Sequence, residues 1–175
     1  MNMFFTLITA TIIGATGSLQ PASSKHVLIH GSTVEQVYNT DNVANAPEVW
    51  VIINRDDEEL YCAFKTDSKG EYEFNLPVGH RYELLYGGED FVNKKVIIDA
   101  TDTPEVRRGH TVKMNMSLFR PIEQVDYSVL ENPLAEFKYD KMSKSLSPDM
   151  IQVEDMLFAI DKVYRKSEKA AKKKN

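Results

Sequence analysis

Cysteine is almost missing from this chain of 175 residues: Cys62 stands alone, so no intramolecular disulfide can form. Charge is missing from the first twenty residues, which contain no Asp, Glu, Lys or Arg. The apolar run there, Phe4 to Ile13, is shorter than the roughly 20 residues that a membrane-spanning helix needs. No Gly-x-Ser-x-Gly turn and no phosphate-cradling glycine loop occurs, and only four histidines are available. These gaps leave no nucleophile with a base beside it, so no catalytic or cofactor-binding residue is assigned.

What stands at the start reads as an export signal. Phe4 to Ile13 has the length of a signal core and is followed by Gly14, Ala15, Thr16 and Gly17, small residues suited to a cut near Ser18. The expected layout is a signal peptide over 1–17 and a polar leader over 18–25, with only the α-amino group as positive charge ahead of the core. No cysteine follows for lipid attachment. The net charge of −5 hides a division. Residues 162–175 hold seven Lys or Arg against Glu168, whereas the preceding residues hold fourteen basic and twenty-five acidic side chains. An acidic body with an exported destination disfavours nucleic acid as a partner.

Between these ends the chain is written in short alternations. Val27 and Ile29 share one face of a strand starting at His26, while Val49 to Ile53 is apolar at every position, which predicts a central strand with something lying over Trp50 and Ile52. Leu60, Cys62 and Phe64 are expected inward, with Cys62 a buried apolar residue rather than a reactive thiol. Tyr72, Phe74 and Leu76, then Tyr82, Leu84 and Tyr86, form the arms of an antiparallel pair, and Val96 to Ile98 and Val112 to Leu118 add two more strands. Seven short strands with no helix among them predict an antiparallel β-sandwich.

The residues Thr66-Asp67-x-x-Gly70-x-Tyr72-x-Phe74-x-Leu76-Pro77-x-Gly79, followed by Tyr82 and Leu84 and preceded by Gly31, resemble the carboxypeptidase regulatory-like domain. The likeness spans about residues 26–118 and departs from the usual pattern in having both His80 and Arg81 before Tyr82. It implies an all-β, seven-stranded antiparallel transthyretin-like sandwich, here with a C-terminal extension and one amphipathic helix. Such domains serve as binding or spacer modules, so the resemblance speaks to scaffold more than to activity. Related adhesin sandwiches form a Lys–Asn crosslink, and Lys25 and Asn115 stand near the corresponding places. The assisting carboxylate would fall at Tyr86, which cannot serve.

The extension divides into an extended segment over 119–146, expected to cross the sandwich, and a helix with a basic tail over 147–175. Ser147-Pro148-Asp149 supplies a hydroxyl cap, a proline for the first turn and a carboxylate at the positive end of the dipole. Met150, Val153, Leu157, Ile160 and Tyr164 then recur at helical spacing, and Lys172, Lys173 and Lys174 close the chain. This stripe either packs on the protein's own sheet or docks on a protein partner of the cell envelope, with the lysines meeting an anionic surface. No metal site is assigned: His26 and His30 lie roughly 13 Å apart along a strand, and His110, Met114 and Met116 read as core and turn residues rather than copper ligands. His80 is expected solvated in a turn. The function expected is therefore a non-enzymatic, exported binding or assembly component, with a carbohydrate- or metal-ion-binding module as the alternative. The tyrosines facing inward and Trp50 in the core weigh against a sugar platform.

Overall fold

The computed structural model describes residues 25–36, 43–56, 58–123 and 125–172. The signal peptide, nearly all of the leader, and Lys173 and Lys174 lie outside them. The described chain is mostly β, with eleven strands in two mixed sheets and one α-helix. Strand β1 (His26–Gln36) is the spine of the first sheet. It pairs antiparallel with β2 (Val43–Asn45) and β5 (Glu71–Pro77), and parallel with β8 (His110–Lys113) and β9 (Met116–Leu118). The second sheet runs β11 (Ser145–Pro148), β10 (Ala135–Asp140), β7 (Phe91–Asp99), β6 (Arg81–Gly88), β3 (Trp50–Arg55), β4 (Glu58–Lys65). It is antiparallel except where β10 runs parallel to β7.

Three features correct the sandwich expected from alternation. The sheets are mixed because β8 and β9 re-enter beside β1 in the same direction in the first, and β10 runs parallel to β7 in the second. The run Val112 to Leu118 keeps its inward alternation but is divided into β8 and β9 at Met114-Asn115, where the Met114 carbonyl turns to accept the Tyr72 hydroxyl. Finally, residues 119–146 do not cross the sandwich. After a single turn of 3-10 helix, Ser128–Glu131, they add the hairpin β10–β11 to the open edge of β7.

The edge addition explains why the cover expected over Trp50 and Ile52 is not there. Strand β10 is separated from β3 by β7 and β6, so Trp50 stays 43% exposed, with the Lys65 ammonium 5.3 Å from its ring centre. Val51 and Ile53 on the other face are fully buried. Leu60 is also outside, 59% exposed, because the β3–β4 register shifts near Asn54 and Leu60 takes a left-handed φ of 64°. Cys62 and Phe64 keep the inward phase, opposite Ile53 and Val51, but as edge-strand residues they are only half-buried. Burial pushes the Cys62 thiol up from its ordinary range.

The core fills the space between the sheets with Val27, Ile29, Tyr72, Leu76, Val112, Met114, Met116 and Leu118 from the first and Val51, Ile53, Tyr82, Leu84, Tyr86, Val96 and Ile98 from the second. The Thr66-Asp67-x-x-Gly70 turn is a structural clamp. Asp67 Oδ1 accepts the Lys69 and Glu71 amides at 2.8 and 2.7 Å, and Thr66 Oγ1 accepts the Val49 amide at 3.1 Å. Gly70 holds a left-handed φ of 79°, and a Cβ there would lie 2.5 Å from the Thr33 carbonyl oxygen. Thr33, buried beside it, donates to the Ala46 carbonyl at 2.6 Å and so ties β1 to the turn that leaves β2.

Candidate functional site

Helix α1 (Met150–Lys172) is reached through the β10–β11 hairpin, whose turn is closed by the Asp140 carboxylate accepting the amides of Met142 and Ser143 at 2.9 and 3.1 Å. Those bonds hold Asp140 below the ordinary carboxylate range. The sequence points to Ser147 as the cap, but Ser147 does not cap the helix. Ser147 and Pro148 are still paired with Lys138 and Phe137 in β11, so the cap falls to Asp149, whose Oδ1 accepts the Ile151 amide at 2.9 Å.

The helix lies along the open side of the sandwich and divides the sequence stripe in two. Val153 packs on the main core, and Ile160 is buried with Phe119 and Leu130 in a second cluster that also takes in Met156, Leu134 and Tyr127. Met150 and Leu157, turned one side from that contact, are 58% and 59% exposed. The side chains of Tyr164 and Lys172, like Lys173 and Lys174, lie outside the described residues. Met156 was not in the stripe, although its place between Val153 and Ile160 at helical spacing carried the signal.

Two further residues complete the exposed surface. Ile151 and Phe158 are 73% and 71% exposed, seven residues apart and so on one side of the helix. With Met150 and Leu157 they put four large apolar side chains in the first turns of α1, among Glu154, Asp155 and Asp161. The pair was visible in the sequence as a second apolar spacing across from the first. Among the described residues no helix is long and apolar enough to cross a membrane.

Between α1 and the mouth of the sandwich runs an apolar groove of about 280 Å³. Val96, Met114, Met116, Phe137, Val153 and Met156 form much of its wall. Lys94 also lines it, 8% exposed, with its Nζ donating to the Ser117 carbonyl at 2.5 Å and 4.6 Å from the Phe119 ring centre. Burial lowers its ammonium to about 8.

A larger, polar trough of about 550 Å³ lies on the outer face of the first sheet, lined by His30, Ser32, Glu71, Glu73, Lys113 and Asn115 among others. Cross-strand register makes it: His30 stands opposite Glu73 and Lys113, and Ser32 opposite Glu71. Among the described residues no three His, Cys, Asp or Glu side chains gather as metal ligands. His110 is buried and its Nε2 donates to the Pro104 carbonyl at 2.8 Å, while Met114 and Met116 are core. His80 is not simply solvated. Its Nδ1 lies 2.7 Å from Asp56, whose carboxyl is lowered first by the Arg81 amide and then by His80. Lys25 pairs with Glu105 at 3.1 Å, and Asn115 accepts from Ser32, so the two candidate crosslinking residues are not brought together.

Neither a protein-family model nor a curated protein matches the chain. Solved structures with related coordinates include 3-chlorocatechol 1,2-dioxygenase from Rhodococcus opacus 1CP, at 10% identity and TM-score 0.38 over 55% of this chain and 60% of that one. Catechol 1,2-dioxygenase from Acinetobacter sp. ADP1 matches at 11% identity and TM-score 0.41, over 67% of this chain and 59% of that one. The Bacillus anthracis TIE protein matches at 18% identity and TM-score 0.38, over 54% of this chain and 18% of that one. These similarities are too remote to carry an activity over to this chain.

Proposed function

We propose that this protein is an exported, non-enzymatic binding or assembly component of the cell envelope, built on a carboxypeptidase regulatory-like, transthyretin-like sandwich, and that it docks a protein partner through α1. The observation that carries this reading is the helix's second apolar surface. Ile151 and Phe158 stay largely exposed after Val153, Met156 and Ile160 have been used for packing. Large apolar side chains held on a helix and rimmed by charged side chains of both signs, Glu154, Asp155, Asp161 and Lys162, mark a partner-binding patch. The uncharged first twenty residues support export, and the basic end at Lys172, Lys173 and Lys174 adds contact with an anionic surface.

The test is a photo-crosslinking side chain placed at Phe158, and separately at Glu73 on the far sheet, in cells making the full chain. A discrete adduct from Phe158 that is absent from Glu73 and is competed away by unlabelled protein supports docking. Equal labelling at both positions, or none at Phe158, overturns it.

The alternative, a carbohydrate-binding module, gains one observation. Trp50 is a partly exposed indole on the outer face of the second sheet, 43% exposed, with the Lys65 ammonium over its ring. Saturation-transfer NMR against soluble glycans, with Trp50→Ala as the comparison, decides for or against it.

A further inference from the structure

The groove beneath α1 joins two things that rarely occur together without a ligand. Its walls come from both sheets and the helix and are largely aliphatic and thioether: Val96, Met114, Met116, Val153 and Met156. At its β7 side stands Lys94, more than nine-tenths buried. An ammonium has three donors, and Ser117 supplies one acceptor. The Phe119 ring offers its face but takes no full hydrogen bond. The charge has no carboxylate partner among the described residues, whereas the neighbouring Lys95 is paired with Glu83 at 2.9 Å. A buried cation without an anion is an expensive arrangement unless something supplies the missing charge.

We propose that this groove binds an aliphatic monocarboxylate, its chain laid along the apolar wall beneath α1 and its carboxylate paired with the Lys94 ammonium. The charge sets the class: a neutral chain would leave Lys94 unpaired, and a short anion would leave the aliphatic walls unfilled. The volume, at the low end of the range for small-molecule sites, suits a single chain of moderate length rather than a bulky ring system. Met150 and Leu157, which line the groove and are partly exposed, give the outer wall freedom to open for entry. This site adjoins the docking surface and shares Met150 and Leu157 with it, but its anchor Lys94 is no part of that surface, so it stands or falls independently of the proposed assembly role.

The experiment is calorimetric titration of the full chain with decanoate, acetate and 1-decanol, each well below aggregate-forming concentrations, accompanied by amide chemical-shift mapping. Decanoate is expected to bind at least about tenfold more tightly than either of the others, with shifts gathered on β7, β9 and the first turns of α1. In Lys94→Met the preference of decanoate over 1-decanol should vanish. No decanoate binding, affinity equal to that of 1-decanol, shifts confined to other surfaces, or a folded Lys94→Met variant that keeps the preference would each overturn the assignment. Should Lys94→Met fail to fold, the three-ligand comparison on the unaltered chain decides.

Discussion

Replacing Lys94 by methionine is expected to stabilise the protein at neutral pH and to flatten its stability between pH 7 and 9. Burial brings the ammonium from 10.5 down to about 8, and with the side chain only 8% exposed, solvent screening removes little of the effect. Each tenfold change in proton affinity is worth about 1.4 kcal/mol, so holding the charged form in the folded state costs about 3 kcal/mol at pH 7. The folded state releases its proton near 8 and the unfolded state near 10.5. Between those values the unfolded chain binds more protons, and stability rises with pH, by about 1 kcal/mol from pH 7 to 9. In a chain of this size that is roughly 2–4 °C in Tm.

Higher pH works the other way. Cys62, Tyr72, Tyr82 and Tyr86 all have their folded-state values raised by burial, Tyr72 to about 12. The unfolded chain loses those protons first, so alkaline conditions above about pH 9 destabilise the fold. The useful window therefore ends at 9. Urea unfolding at pH 7, 8 and 9 is the assay, with the slope checked for constancy between variants. A midpoint that stays flat or falls from pH 7 to 9 in the unaltered chain, or that rises equally in Lys94→Met, would refute the reasoning. Methionine is the right replacement because it keeps length and volume while removing the buried charge.

Other expectations test the scaffold and the docking surface. Gly70→Ala should lose about 2–4 kcal/mol in urea unfolding, since it combines a left-handed backbone with a Cβ pressed against the Thr33 carbonyl. Asp149→Ala removes the cap of α1 and should cost about 1 kcal/mol, with faster amide exchange at Ile151 and Gln152. The double variant Ile151→Ser, Phe158→Ser should change stability by less than about 1 kcal/mol, because both side chains are largely exposed, while abolishing the adduct formed from the helix. His80→Ala should raise the Asp56 carboxyl, followed by NMR titration, yet leave it below the ordinary value because the Arg81 amide remains bonded to it.

Most of the strands were legible because a period of two with one buried face has few other solutions. Val27 and Ile29, Tyr72 and Leu76, and Tyr82, Leu84 and Tyr86 are buried as their alternation demanded. The burial of Val112, Met114, Met116 and Leu118 was equally readable, but their strand direction was not. Alternation sets which face is inward and carries no information on whether the neighbour runs parallel. Trp50 and Ile52 show the same limit from another side: an all-apolar run implies cover on both faces, yet the outer face is shielded only in part by neighbours such as Lys65. At the candidate docking surface, the presence of the helix followed from periodicity, whereas its cap moved from Ser147 to Asp149 because Ser147 stays paired in β11. Which apolar residues would pack and which would stay outside did not, since Met150, Ile151, Leu157 and Phe158 differ from Val153 and Ile160 only in their angle about the helix axis.

Local chemistry by itself determined where strands and turns fall, why Gly70 is glycine, and that a capped amphipathic helix follows the sheets. Those are decided by steric preference, spacing and capping within a few residues of each position. Tertiary structure alone decided that the extension joins the edge of β7, that the helix spans the mouth between the sheets, and that Lys94 is shut into an apolar groove. In sequence, Lys94-Lys95 is an ordinary pair of surface cations. Strand alternation sends Lys95 outward to Glu83 and Lys94 inward, and only the packing of β9, Phe119 and α1 around that inward position turns a solvated charge into a buried one.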